Sequence, residues 1–194
     1  GLAALVGVAL LVALGMMLST DARLAKKYTI EPRPLAVVAG PEAVERGRHL
    51  AEVYCASCHE DNLKGGPFFS ADGIGTVDAP NLTAGAGGVG AAYDTVDWVR
   101  AIRHGVRNDG TPLFIMPSMD FQHFSDADLA ALVAYLEQAP PVDNETHGHT
   151  FTPMARILYA AGAFGDAIAA ETIDHAAAHA ETPPAGGTAE YGAY

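Results

Sequence analysis

The chain is poor in cysteine, in aromatic residues and in positive charge, and each shortage removes a class of protein. Two cysteines occur among 194 residues. They stand at positions 55 and 58, which excludes a disulfide framework and a four-cysteine zinc site. Lys and Arg number 11 against 23 Asp and Glu, for a net charge of −12. Nucleic-acid binding needs a basic footprint, so no nucleic acid is expected as a partner. Aromatics make up 8% with a single tryptophan. With so much Ala and Gly, this points to small-residue helices and loops rather than a β-rich core. No convincing strand-like alternation of apolar and polar residues is present.

Charge is also absent from the first twenty positions, where residues 1–18 read GLAALVGVALLVALGMML. A membrane-spanning helix needs roughly 20 apolar residues, whereas the apolar region of a cleaved signal peptide is about 7–15. A membrane anchor over residues 1–20 is therefore expected, followed by a linker over 21–39. Arg23, Lys26, Lys27 and Arg33 follow the span. By the positive-inside rule alone they would lie in the cytoplasm. The chemistry of the next motif argues for the opposite side.

That motif is Cys55-Ala56-Ser57-Cys58-His59, a C-x-x-C-H. It is the attachment sequence of a c-type haem: both thiols reach vinyl groups on one edge of the ring, and the adjacent histidine is delivered beneath the iron. A thioredoxin-like redox pair would sit in a βαβ setting, which the pattern lacks. Zinc would need two more ligands at short spacing. Cys55 and Cys58 are thus expected to carry one covalent haem c, with His59 as proximal iron ligand. C-type haems are assembled outside the cytoplasm, so the haem domain is expected on the periplasmic side of the inner membrane, on a single-pass anchor.

From about residue 40 to residue 144 the sequence resembles a class I, mono-haem cytochrome c domain. Beyond the haem motif, the resemblance rests on Pro80-Asn81-Leu82-Thr83, the run from Trp98 to Gly105, Met116-Pro117, Ser125-Asp126-Ala127-Asp128-Leu129 and Ala134-Tyr135-Leu136. These look like the membrane-anchored cytochrome subunits of bacterial dehydrogenase, respiratory or photosynthetic complexes. The resemblance implies an all-α class I fold behind an N-terminal transmembrane helix. It also implies a Met as sixth ligand, placed directly before a proline. Met116 fits, because a residue before Pro is biased to extended backbone. Met119 is the alternative, read otherwise as a hydrophobic contact near the haem edge. His104 and His123 are further rivals, more commonly surface or capping histidines.

Three helices are expected in the domain. The first starts at Gly40 and Pro41, with Pro at N1 where its missing donor costs nothing. A glycine inside a helix costs about 1 kcal/mol relative to Ala, so Gly47 calls for a reason. The resemblance supplies one: a C-terminal helix crossing there, with Tyr135 over the glycine. The second helix opens at Asp94, with Asp97 at N3 and an apolar stripe of Val96, Val99, Ile102 and Val106. The third opens at Ser125, paired with Asp128 in a variant of the capping box. Trp98, Arg100 and Arg103 are candidate contacts for the haem propionates, although the arginines read equally well as solvated. Residues 65–92 read as a loop wrapping one haem edge, with Phe68 and Phe69 against the ring.

Residues 145–194 read as linker plus a docking segment. His147 and His149 form only an H-x-H within a polar stretch. Ile157, Ala161, Phe164 and Ile168 then share one face, a candidate surface for another subunit. The final Glu190-Tyr191-Gly192 echoes Glu45-Arg46-Gly47, as if a second haem domain were opening. The function expected is that of a non-catalytic electron-transfer subunit. It would carry single electrons between an integral membrane redox complex and another cytochrome, an oxidase or a reaction centre. The alternatives are a haem peroxidase or gas-binding subunit with a displaceable sixth ligand, and an assembly subunit whose haem is incidental.

Overall fold

The helices begin where local chemistry lets them begin. The computed structural model describes the chain from Gly1 to Tyr194, the side chain of Ala193 excepted. Helix α1 runs Leu2–Leu24, with none of its most apolar 18 residues buried, and it is long enough to cross a membrane. Helix α2 (Pro41–Tyr54) follows an extended Gly40 with Pro41 at N1, and the single turn α3 (Ala56–His59) continues from it through Cys55. Helix α4 (Thr95–His104) carries a full capping box. The Asp94 carboxylate accepts from the Asp97 N–H at 2.9 Å, and the Asp97 carboxylate accepts from the Asp94 N–H at 3.3 Å. The short α5 (Ser118–Phe121) precedes α6 (Asp126–Leu136), whose Ser125 Oγ accepts from the Asp128 N–H at 3.1 Å.

Helices α2 and α6 cross at Gly47. A Cβ there would lie 1.9 Å from the Ala131 carbonyl oxygen and 2.8 Å from the Tyr135 Cβ. Glycine is thus what lets the two backbones meet. Leu50 and Ala51 of α2, Trp98, Val99 and Ile102 of α4, Phe121, Phe124, and Leu129, Leu132, Val133 and Leu136 of α6 close one core around this crossing. Fully buried Asn81 ties the preceding loop to the far end of the domain. Its Nδ2 donates to the carbonyls of Val142 (2.7 Å) and Asn144 (3.3 Å), and its Oδ1 accepts from the Thr83 N–H and hydroxyl, both at 2.9 Å.

The expected all-α class needs correction. Strands β1 (Gly66–Ala71), β2 (Gly75–Ala79) and β3 (His149–Phe151) form an antiparallel sheet in the order β1-β2-β3. The stretch expected as loop is therefore partly a hairpin, with Gly66 opposite Ala79 and Ala71 opposite Gly75. Its three-residue connection is Asp72-Gly73-Ile74, with Gly73 at φ +77°. Alternation is hidden because β1 is exposed on both faces, including Phe68 and Phe69. Strand β3 lies in the polar stretch expected to be a free linker.

The tail differs from expectation as well. Helix α7 (Pro153–Ala160) packs on the end of α1. The 3₁₀ turn Ala169–Glu171 and its neighbours build a second core, made of Val106, Tyr159, Ala167, Ile168 and Ala170 with Leu24, Tyr28, Ile30, Phe114 and Phe164 against it. Of the face expected to dock on another subunit, Ile168 and Phe164 pack into this core, whereas Ile157 is half-buried and Ala161 exposed. Helix α8 (Ala189–Ala193) ends beside α6, where the Tyr194 hydroxyl accepts from the Ser125 N–H at 2.7 Å and donates to Asp128 at 2.9 Å.

Candidate haem site

Cys55 ends α2 and opens α3, so the backbone turns at the motif. The N–H groups of Cys58 and His59 donate to the Cys55 carbonyl at 3.1 and 2.9 Å. This single turn presents both sulfurs and the His59 ring to one cavity. Burial pushes the Cys55 thiol up to about 12, with a smaller push from neighbouring Cys58. The buried His59 lies below its usual value because of desolvation, against the opposing effect of the Pro80 carbonyl. Its Nδ1 lies 2.8 Å from that carbonyl oxygen. A carbonyl only accepts, so Nδ1 carries the proton and Nε2 keeps the lone pair that a metal needs.

The cavity holds about 540 Å³, within the range of cofactor sites. Ala101, Ile102, Leu113, Phe121, Phe124, Leu132 and Leu136 give it apolar walls, and Phe68, Val77, Ala79 and Leu82 close it from the hairpin side. Met116 also lines it, on a loop whose preceding residue, Ile115, holds φ +66°. A β-branched residue in that region is strained. Met119 does not line the cavity. Its sulfur lies 3.1 Å from the Thr172 hydroxyl, which also reaches the Ala169 carbonyl oxygen at 3.2 Å. His104 lies outside, with its Nδ1 3.1 Å from His175 Nδ1, and His123 is not among the lining residues either.

The three expected propionate contacts separate. Trp98 lines the cavity, and its Nε1–H is buried without a partner. Arg100 and Arg103 do not line it, which corrects that expectation. Arg100 donates to the Ile30 carbonyl and pairs with Asp97, while Arg103 donates to Asp126 and the Phe124 carbonyl. Both are consumed in joining α4 to its neighbours. The cationic residue at the cavity is Arg107, just past the end of α4, which donates to the Pro112 carbonyl at 2.5 Å. Sequence reasoning passed over it because it lies outside the α4 periodicity.

These residues fit a haem. Two thiols and an imidazole lie on one wall of an apolar cavity that a thioether also lines. The buried indole N–H of Trp98 lacks the acceptor that a propionate would supply. Together these features define the c-type cytochrome class.

The comparisons agree. The family model described as cytochrome C oxidase, cbb3-type, subunit III matches residues 42–136. The chain is 37% identical over 105 residues to the gluconate 2-dehydrogenase cytochrome c subunit of Pantoea cypripedii, covering 50% of this chain and 23% of that protein. It is 31% identical over 121 residues to the fructose dehydrogenase cytochrome subunit of Gluconobacter japonicus, covering 58% and 24%. It is 32% identical over 99 residues to the alcohol dehydrogenase (quinone) cytochrome c subunit of Gluconobacter oxydans strain 621H, covering 47% and 20%. Residues 42–136 are a cytochrome c domain of the cbb3-type subunit III kind, a family that carries haem c and transfers electrons. The matched part spans about a quarter of the length of these relatives.

Proposed function

We propose that the chain is the electron-transferring cytochrome portion of a membrane-bound dehydrogenase complex. On this reading it accepts electrons from a dehydrogenase partner and delivers them to another cytochrome or a membrane oxidase. The observation that carries it is one cavity lined by Cys55, Cys58, His59 and Met116, a set that would hold a haem covalently and offer its iron an imidazole and a thioether. Haem bound there supplies a one-electron redox couple; imidazole and thioether ligation together favour the ferrous state relative to two imidazoles.

The chain's own residues do the rest. Cys55 and Cys58 would hold the ring covalently, and the Pro80 carbonyl fixes the His59 tautomer. Trp98 and Arg107 offer donors for the propionates. The apolar walls exclude water, which limits reorganisation when the charge changes. Exposed Tyr54, Phe68 and Ile115 rim the cavity, and exposed Glu52, Glu60 and Asp61 lie nearby in the sequence. A net charge of −12 favours a partner with a basic face and makes that association weaken with salt. Helix α1 anchors the chain in the inner membrane, with the haem domain on the periplasmic side.

The test is Met116→Ala in the haem-loaded chain. Loss of the thioether should leave the ferric iron high-spin and let the ferrous form bind CO. If Met119→Ala does this and Met116→Ala does not, the ligand assignment is wrong. Ready CO binding by the unmodified protein would favour a gas-binding or peroxidase role instead.

A further inference from the structure

The loop that carries Met116 is held from outside the cytochrome domain. Ile115, in its strained conformation, donates its N–H to the Ala167 carbonyl at 2.6 Å. The Phe114 ring meets Phe151 and Tyr159 edge-on, at 4.8 and 5.7 Å between centroids. The Thr172 hydroxyl lies 3.1 Å from the Met119 sulfur and 3.2 Å from the Ala169 carbonyl oxygen, so its one proton is shared between the two acceptors. All four partners lie beyond residue 136, in the tail.

The same tail segment is clamped to the end of the membrane helix. Arg23 Nε donates to both oxygens of the Glu171 carboxylate, at 2.9 and 3.1 Å. Its guanidinium lies 4.4 Å from the centre of the Tyr159 ring, and Tyr159 in turn touches Phe114. The Thr20 hydroxyl donates to the Arg156 carbonyl at 2.7 Å, and Arg156 pairs with Asp21 at 3.0 Å. Two short chains of contact therefore run from the helix end to either side of Met116. One passes through Tyr159 and Phe114. The other passes through Glu171 and Thr172 to Met119.

We propose that the segment from Ala167 to Thr172, clamped through Glu171 to Arg23, is a positioning element for the axial-ligand loop. Within it Thr172 holds Met119 off the cavity, so that Met116 is the thioether presented. This rests on the reading of Met116 as an axial ligand. Two methionines three residues apart on one loop could compete for one coordination position. The Ala169 carbonyl fixes the Thr172 hydroxyl against the Met119 sulfur, and that contact disfavours this methionine in the competition. A fixed Ala167 carbonyl keeps Ile115 in a conformation it would otherwise leave, and so keeps Met116 turned inward. Loosening either contact should let the thioether leave the iron more often.

The experiment uses the full haem-loaded chain in detergent and measures the rate at which imidazole displaces the thioether from ferric iron. The ferric thioether charge-transfer band and the midpoint potential are followed alongside. Removing a hydrogen bond of ordinary strength in Thr172→Val should raise the displacement rate about fivefold and lower the potential. Thr172→Ser keeps the hydroxyl and should behave as the unmodified chain. Adding Met119→Ala to Thr172→Val should cancel whatever part of the rise came from competition by Met119. Glu171→Gln should raise the rate roughly two- to fivefold at low salt and remove its salt dependence, whereas Glu45→Gln, a similar loss from a surface pair on α2, should change nothing. Unaltered rate and potential in both Thr172→Val and Glu171→Gln overturn the inference. A rise in Thr172→Val alone overturns the link to the membrane helix. If Met116→Ala keeps the thioether band, the ligand reading itself fails. If that variant loses the band while the tail variants behave as wild type, only the positioning role falls.

Discussion

Gly47→Ala tests the helix crossing on which the haem domain is built. The added methyl carbon would sit 1.9 Å from the Ala131 carbonyl oxygen, 2.6 Å from its carbonyl carbon and 2.8 Å from the Tyr135 Cβ. Real Cβ atoms essentially never approach within 3.0 Å, so α2 and α6 must part by more than an ångström. Two of the three atoms are backbone and cannot rotate aside. Overpacking in a well-filled core costs about 1–3 kcal/mol, and this site belongs at the upper end. Alanine returns about 1 kcal/mol of helix propensity. The net loss is then about 2 kcal/mol, or roughly 4–8 °C in melting temperature for a chain of this size. Far-UV circular dichroism of the haem-loaded protein in detergent, heated reversibly, reads it directly. A free surface glycine would behave oppositely, its alanine variant melting about 2–4 °C higher. A melting point at or above wild type would refute the close crossing.

Two further outcomes are expected. The buried His104 is pushed down to about 4 by desolvation, then by His175, Arg103, His179 and Arg100 around it. It therefore folds in the neutral form: its contribution is complete above its unfolded value near 6.5 and is lost as pH falls toward 4, a loss on the order of 3 kcal/mol. Urea midpoints measured across that window should fall more steeply for wild type than for His104→Asn, and equal slopes would count against it. Asn81→Ala strands buried partners at Thr83 and two carbonyls, and should cost about 3 kcal/mol or more while exposing residues 142–152 to protease. Unchanged stability and unchanged cleavage would remove Asn81 as the pin of that segment.

What could be read in advance was local. The C-x-x-C-H turn, the Asp94 capping box and the Pro41 start are each written within a few residues, and each forms as its chemistry requires. Ser125 caps α6 as expected, yet Asp128 does not complete the reciprocal bond. Arg46 takes its carboxylate, at 2.9 and 3.1 Å, and Tyr194 takes the Ser125 N–H. Partners 66 to 82 residues away are invisible to a capping pattern. Long-range pairing likewise hid the sheet, because β3 lies about seventy residues from the strand it pairs with. Distant partners also decide the place of Arg100 and Arg103. An arginine on a helix beside a cofactor site has the right charge, but Asp97, Asp126 and two carbonyls hold these two elsewhere. The tail carries the weakest local signal. Its Ala, Gly and Pro read as linker, while Tyr159, Ile168 and Phe164 gather around Val106 only once the chain has folded back.

The contacts of Thr20, Asp21 and Arg23 with the tail decide how far the haem domain can roam. A free linker over residues 21–39 would let it wander about 25 Å from its anchor point. Instead Lys27 grips Asp109 at 3.1 Å and the Tyr28 N–H donates to the Gly110 carbonyl at 2.9 Å, so the chain adheres to the domain almost as soon as it leaves the helix. Helix α1 is thus joined to the domain as a mast rather than a leash. Where such a helix spans a bilayer, this mounting would set the height and tilt of the cavity mouth, and electron exchange, which falls steeply with distance, would then depend on a neighbour standing at that height. Such a mounting suits a relay within a fixed assembly, where the order of redox centres is set by architecture rather than by diffusion.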